Sequence, residues 1–443
     1  MSTSTSGDST RTTGGSRLPT LIFMAWRNIW RNPARSGLTV AALAGSLVLL
    51  LLYLGLVAGM TRQMVDHATD LALGHMQLHR QAFVDDQDLY ATLPWNTLKE
   101  LETAFPDLSM APRLYASALA SAGDASNGVL IKAVDPQREP RVTRLLEEVR
   151  EGTSDLGPAP PTDAGLPRHH VLIGAQLARN MNITPGAELI LVTQAADASI
   201  GNALYQVAGV LKPIDPAFDR QGVLMSIGAF QSLMVMDQGF HELSFKLKDV
   251  SQLDAVQTAV AAKVQALTAE QPLDKLGGPP LLRNWRQIAP ALADMISMYD
   301  GVVWVIGLIV VALAALGMVN TMIMAIHERT REFGVLRAIG MDKRWLLVMV
   351  LIESLLLALI SAVLGVVAAL VLIKGLLKDG IDLSASMPDG FDMVGIVIDP
   401  VMPMQLEPMH VIYAALLVIA ITMIAALLPS WRVMRVKPAE SMR

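Results

Sequence analysis

Residues 36–61, between Arg35 and Arg62, carry no charged side chain over 26 positions, and residues 301–326, between Asp300 and His327, repeat this over another 26. A third run, Trp345 to Ile373, holds one charge, Glu353, and a fourth covers Val411 to Ser430. About 20 apolar residues span the hydrocarbon core of a bilayer as a helix, so each run is long enough to cross. Buried helices of a soluble protein rarely run this far without charge. A composition of 52% hydrophobic and 17% charged residues over 443 positions agrees with a membrane protein. The first run follows a 35-residue leader. It is too long for the apolar core of a signal peptide and lacks a small-residue cleavage site, so it is expected to remain as an uncleaved anchor.

Charge placement orients the four spans. Residues 1–35 hold Arg11, Arg17, Arg27, Arg31 and Arg35 against Asp8, and residues 327–344 hold Arg329, Arg331, Arg337, Lys343 and Arg344. The segment 431–443 adds Arg432, Arg435, Lys437 and Arg443. These three segments together carry 14 basic and five acidic residues, whereas the rest of the chain carries 21 and 35. The basic side is expected to be cytoplasmic, with both termini there, which turns residues 62–300 and 374–410 outward. With no cysteine in the chain, disulfides, thiolate catalysis and cysteine-bound zinc are excluded.

The predicted fold class is an α-helical membrane protein of four transmembrane helices with a large mixed α/β extracytoplasmic domain between the first two. Residues 1–17 are Ser/Thr/Gly-rich and predicted disordered. Residues 18–35 space Leu21, Ile22, Ala25, Ile29 and Trp30 for an amphipathic helix along the inner membrane surface, or else form a plain basic flank. In the exported domain, Gly128–Val134, Val171–Gly174, Glu188–Thr193 and Tyr205–Leu211 read as strands, and Ala175–Met181 and Ser251–Leu267 as helices. Residues 151–167 read as a loop, and Leu276 to Pro280 opens another. Arg283 to Tyr299 reads as a helix that Pro290 should kink or interrupt before it continues into the second span.

Catalytic signatures are missing. The chain has neither a Gly-rich Lys-Ser/Thr phosphate loop nor a His-Glu-x-x-His pair. His75 and His79 have metal-compatible helical spacing, but the same stretch alternates like a strand and offers no third ligand. Asp85, Asp86 and Asp88 fit a solvated acidic loop better than a calcium site. Glu353 lies about 12 Å along the third span, counted at 1.5 Å per residue. An acid at that depth is expected to face protein or a polar cavity, either on a proton or substrate path or paired with a basic group near the cytoplasmic face.

The segment His327 to Arg344 is a charge-dense connector held between two spans, with the composition of a short amphipathic helix. Phe333, Leu336 and Ile339 could fill an apolar groove while Arg329, Arg331, Glu332 and Arg337 set register, with Gly334 allowing close approach and Gly340 ending the helix. The run Met318-Val319-Asn320-Thr321 into Glu328-Arg329-Thr330-Arg331-Glu332-Phe333-Gly334-Val335-Leu336-Arg337-Ala338-Ile339-Gly340, then a span with Glu353 and Gly365, resembles four-span ABC transporter permeases. That family includes lipoprotein-releasing, macrolide-efflux and cell-division permeases. Ala25-Trp26-Arg27-Asn28 through Arg35, Val171-Leu172-Ile173-Gly174 through Pro185-Gly186, Val207-Ala208-Gly209-Val210 and Trp431 to Pro438 extend the resemblance over most of the chain.

By that resemblance the chain is a non-catalytic inner-membrane permease subunit. It would pair with a second permease chain, identical or different, and with a cytoplasmic ABC ATPase dimer that binds ATP and Mg. Residues 327–344 would be the coupling helix, with Glu328, Arg329, Arg331, Glu332, Phe333, Gly334, Leu336, Arg337 and Gly340 as ATPase-coupling residues. The chain itself is expected to carry no cofactor and no metal, and to contact no nucleic acid. A lipoprotein substrate and a periplasmic chaperone or adaptor would be further partners. The efflux permease is usually fused to an ATPase domain that this sequence does not show, and the exported domain exceeds the modest one of the cell-division branch. Both points favour the lipoprotein-releasing type. Efflux of another substrate, or regulation of periplasmic proteins such as cell-wall hydrolases, is the alternative.

Overall fold

The computed structural model describes residues 17–161, 168–214, 216–270, 277–386, 391–393, 396–398 and 400–434. Nearly all of the expected disordered leader and most of the basic tail therefore lie outside the described residues, as does part of the 151–167 loop. The chain divides into two compact units, one of residues 1–60, 298–381 and 401–443, the other of residues 61–297 and 382–400.

The first unit is helical. Four helices are long and apolar enough to cross a membrane: Pro33–Leu73, Pro290–Glu328, Lys343–Leu376 and Pro408–Trp431. The first runs well past the charge-free stretch, with Gly37, Gly45, Gly55 and Gly59 inside it, until Gly74, whose φ of 72° ends the final π turn. Ahead of it, helix Arg17–Arg31 buries Leu21, Ala25 and Ile29, one residue per turn on a single stripe. Leu21 joins a core with Leu43, Met322, Ile326, Phe333, Leu346 and Val350. A second core, further along the spans, gathers Leu47, Leu51, Leu54, Val311, Ala362, Ala414 and Val418.

Small residues let these helices approach. A Cβ on Gly365 would sit 3.0 Å from the Ala44 carbonyl oxygen of the first span, and one on Gly59 would collide with the backbone of Pro403 in the loop before the fourth span. Leu308, Leu313, Leu316, Val363 and Leu428 are exposed on the outer faces of the spans. In water this would be a large uncovered apolar surface; in hydrocarbon it is the ordinary exterior of a spanning helix.

The second unit is built on one eleven-stranded sheet: β1 (Met76–Arg80), β2 (Ser109–Ala122), β3 (Ala125–Val134), β4 (Val149–Gly152), β5 (Pro158–Ala159), β6 (Arg168–Ile173), β7 (Glu188–Gln194), β8 (Ile200–Leu211), β9 (Gly222–Ser226), β10 (Glu242–Lys246) and β11 (Pro280–Asn284). Its main path runs β11-β1-β10-β2-β3-β9-β6-β8-β4, with β5 beside β6 and β7 bridging β2 and β8. The long β2–β3 hairpin pairs Arg113 with Val134 through to Ala122 with Ala125. Parallel pairing of β3 with β9 and of β6 with β8 brings crossover connections, and helices accompany them. A core of Val134, Leu145, Leu172, Leu211 and Leu224 lies under these strands. Helix Ala175–Met181 matches its sequence reading, and helix Leu253–Glu270 buries Leu253, Val260 and Val264 at helical spacing.

Two readings change. The expected loop at 151–167 begins inside β4 and contains β5, short strands held by pairing to distant β8 and β6. Arg283 and Asn284 belong to strand β11, because β11 completes a register with β1 that local periodicity cannot show. Asn284 then caps a short helix, Trp285–Ile288, in a capping box with Gln287, and Ala289 interrupts it. Pro290 marks an interruption rather than a kink, the second of its two expected effects, and it opens the long helix of the second span, where its missing N–H loses nothing. His75 and His79 are both buried, and His79 sits on strand β1. No group of three or more potential metal ligands occurs among the described residues.

Candidate coupling segment

The second span ends at Glu328, and Arg329, with φ −97° and ψ 7°, breaks the helical path. Helix Thr330–Ala338 follows and is closed by a Schellman arrangement. Met341 N donates to Leu336 O at 3.0 Å and Gly340 N to Arg337 O at 3.1 Å, while Gly340 takes a φ of 102° that a β-carbon would disfavour. Asp342 then caps the third span by accepting from Arg344 N.

One face of this helix is turned into its own unit. Phe333 is 3% exposed and packs with Leu21, Met322, Ile326 and Leu346, and Leu336 lies against the same cluster. Burying such a ring stabilises the helix position by about 1.5–3 kcal/mol relative to exposure in water. Gly334 is also buried, and Arg337 is half-buried.

Three ion pairs tie the segment down at its start. Arg329 Nη1 lies 3.2 Å from Glu353 Oε2 on the third span, and its Nη2 donates to the Asn28 carbonyl at 3.2 Å. Glu328 accepts from Arg35 at 2.5 Å, and Glu332 meets Arg31 at 2.6 Å. One arginine thus bridges the connector, the third span and the N-terminal helix. Glu353 has a basic partner, as one of its two sequence readings expected.

The outward face differs from the one the sequence suggested. Phe333 and Leu336 are held by the chain's own core, and Arg329 and Glu332 by its own charges. Arg331, Val335 and Ile339 are exposed, Ile339 at 79%. Val335 escaped the reading by composition, although it lies four residues before Ile339 and so shares its face.

A second polar constellation, in the other unit, has no counterpart among the sequence motifs. Arg113 is fully buried on β2. Its guanidinium grips Glu139 at both oxygens, 3.1 Å from Nε and 2.5 Å from Nη2, and donates through Nη1 to Glu242 at 2.6 Å and to the Ala72 carbonyl at 2.8 Å. Tyr115 donates to the second oxygen of Glu242 at 2.8 Å, and Thr143 to Glu139 at 2.6 Å. Burial pushes both carboxyls up, but the arginine outweighs it and holds them below the usual carboxylate range. Glu242 lies directly across from Arg113 in the β10–β2 register. Only that pairing could have revealed the contact.

Four membrane-crossing helices with a sheet domain between the first two define a class of multi-pass membrane protein. Residues 36–263 match the MacB-like periplasmic core domain family, and residues 304–438 the FtsX-like permease C-terminal family. The chain belongs to the ABC transporter permeases that combine these two domains. It is 22% identical over 345 residues to the lipoprotein-releasing system transmembrane protein LolC of Xylella fastidiosa, covering 75% of this chain and 77% of that one. Against LolC of Neisseria meningitidis it is 19% identical over 93% of this chain and 95% of the relative. Against the macrolide export ATP-binding/permease protein MacB of Brucella abortus it is 26% identical over 38% of this chain and 25% of the relative. These likenesses are those of a LolC/MacB-type permease, and such permeases in general imply an ATPase partner.

Proposed function

We propose that this chain is the non-catalytic permease subunit of an inner-membrane ABC transporter that extracts lipoproteins or a similar lipid-like substrate. The observation that carries the reading is the two-sided helix Thr330–Ala338. Its inner face is fixed to the spans by Phe333 and Arg329, and its outer face presents Arg331, Val335 and Ile339. A displacement applied from outside would reach the third span through the Arg329–Glu353 pair and the N-terminal helix through Arg31 and Asn28. In this reading both termini are cytoplasmic, and two copies of a separate ATPase that binds ATP and Mg dock on the outer face. A second permease chain completes the transporter, and a periplasmic chaperone or adaptor receives the substrate.

Likeness to two LolC proteins over three-quarters or more of the chain supports lipoprotein as the substrate. The match of residues 36–263 to the MacB-like domain favours efflux of another substrate as the second reading.

Vesicles holding this permease with its ATPase and a labelled lipoprotein separate the two readings. ATP-dependent release is expected, and its absence from an assembled, ATP-hydrolysing complex would sink the lipoprotein reading. The docking face has its own test. Arg331→Glu with Ile339→Ala is expected to weaken ATPase copurification about tenfold, as loss of an interface anchor does. Unchanged copurification would overturn the coupling role.

A further inference from the structure

The sheet unit contains a cavity of about 870 Å³ that the coupling mechanism does not use. This is the size of a small-molecule pocket rather than a packing defect. Its two ends differ in chemistry. Leu119 and Leu130 are 50% and 41% exposed along one wall, and Val192, paired opposite Leu119, extends it. The β2–β3 register sets Ser117 against Leu130 and Tyr115 against Lys132, and the pleat places all four on one face. That face therefore runs from leucines to a buried lysine within a few residues.

At the polar end, the charged lining residues are Lys132, Glu242 and Arg283. Glu242 is already held by Arg113 and Tyr115, and the Lys132 ammonium lies 3.5 Å from the Ala72 carbonyl. Counting the Arg113–Glu139 pair behind the wall, the carboxylates of Glu139 and Glu242 balance Arg113 and Lys132. Arg283 leaves the cluster with one uncompensated positive charge, and its Nε is buried without a hydrogen-bond partner. A half-buried guanidinium lining a cavity, with no carboxylate balancing it, gains from an anion that supplies the missing charge. His79, lining the same end, is lowered in pKa chiefly by burial and adds no charge at neutral pH.

We infer that this cavity binds a single-chain amphiphile with one negative charge, its head at Arg283 and its apolar chain along Leu119, Leu130 and Val192. The head is a carboxylate or a phosphodiester, since each supplies one charge and paired oxygens. A free fatty acid and a lysophospholipid are the two sources of that chemistry.

The test uses the full chain in phosphatidylcholine nanodiscs with a dodecanoate probe bearing a diazirine at the chain end. Saturable crosslinks are expected on peptides containing Leu119 and Leu130. Excess dodecanoate should compete them away, and dodecyltrimethylammonium, of equal chain length and opposite charge, should not. Stronger competition by lysophosphatidylglycerol than by dodecanoate would assign the head to a phosphodiester, and the reverse to a carboxylate. Arg283→Gln is expected to lower labelling at subsaturating probe about tenfold, the loss of one charge-assisted hydrogen bond, with Arg283→Lys recovering part of it. Leu119→Glu, on an exposed wall position, should abolish labelling while leaving the fold intact. Crosslinks confined to the four spans, equal competition by the cationic amphiphile, or full labelling of Arg283→Gln would each overturn the assignment.

Discussion

Arginine–carboxylate pairs hold two regions of this molecule, and they do so under opposite conditions. Around the connector, Arg31 and Glu332 are 61% and 43% exposed at their side chains, and Arg329 and Glu353 are 15% and 16% exposed. In the sheet unit, Arg113 and Glu139 are both at 0%. Exposed pairs contribute little and can be remade, whereas a buried pair is strongly destabilising to break. The difference agrees with the proposed coupling role, in which the outer contacts of the connector shift while the sheet unit keeps its core.

The largest test of this contrast is Arg113→Met. It strands Glu139 and Glu242 without their counter-charge and is expected to destabilise the sheet unit by about 3–5 kcal/mol. Amide exchange of β2 and β10 in the full-length protein should then accelerate by about 10²–10⁴-fold. Combining it with Glu139→Gln and Glu242→Gln should recover much of the loss, because the desolvated charges go together. Wild-type exchange in Arg113→Met would break the comparison.

His241 sharpens it through pH. Its Nδ1 accepts from Tyr115 N at 2.9 Å and its Nε2 donates to Leu89 O at 2.8 Å, so the folded ring is neutral. Burial pushes its pKa down to about 4. The unfolded chain, with a histidine pKa of about 6.5, binds the proton first. The stabilising contribution is therefore complete above about pH 6.5 and is lost as pH falls toward 4, by about 3 kcal/mol in all. Exchange at the Tyr115 amide, corrected for intrinsic rate, should rise across that window, and His241→Gln should flatten the rise. A flat wild-type profile would show that the ring is not confined as described.

What could be read in advance divides along the same line as these charges. The four spans follow from length and absence of charge, properties local to each run, and the helix ending at Gly340 follows from a glycine where φ is positive. Strands β3, β6, β7 and β8 announce themselves by β-branched runs between turn residues. β11 does not, because Arg283 and Asn284 become strand only by pairing with Gln77 and Met76. The Arg113 cluster joins residues up to 129 positions apart and left no local trace. Even on the connector, composition does not show which way each residue turns. Phe333 could serve a partner or its own core, and the position of Leu21 on the N-terminal helix decides for the core.

Between the extremes stands Arg329 with Glu353, and a double-mutant cycle measures where. Arg329→Met and Glu353→Gln, singly and together, should give a coupling energy of about 1–3 kcal/mol in SDS-driven unfolding from mixed micelles. A coupling near zero would place this pair with the exposed ones and remove the rigid link between connector and third span.

The smallest effect is expected at Arg31. With both partners largely exposed, Arg31→Ala should change stability by less than about 1 kcal/mol, and raising the salt to about 1 M, where the screening length falls to about 3 Å, should erase the difference from wild type. Transport should respond more than stability does, because Arg31 is where the N-terminal helix meets Glu332 on the connector. If Arg31→Ala instead unfolds the protein as readily as Arg113→Met, the connector is held as rigidly as the sheet unit, and a pair that can be remade no longer describes it. If it lowers substrate release per ATP hydrolysed while stability is unchanged, the weak pair acts in the cycle rather than in the fold.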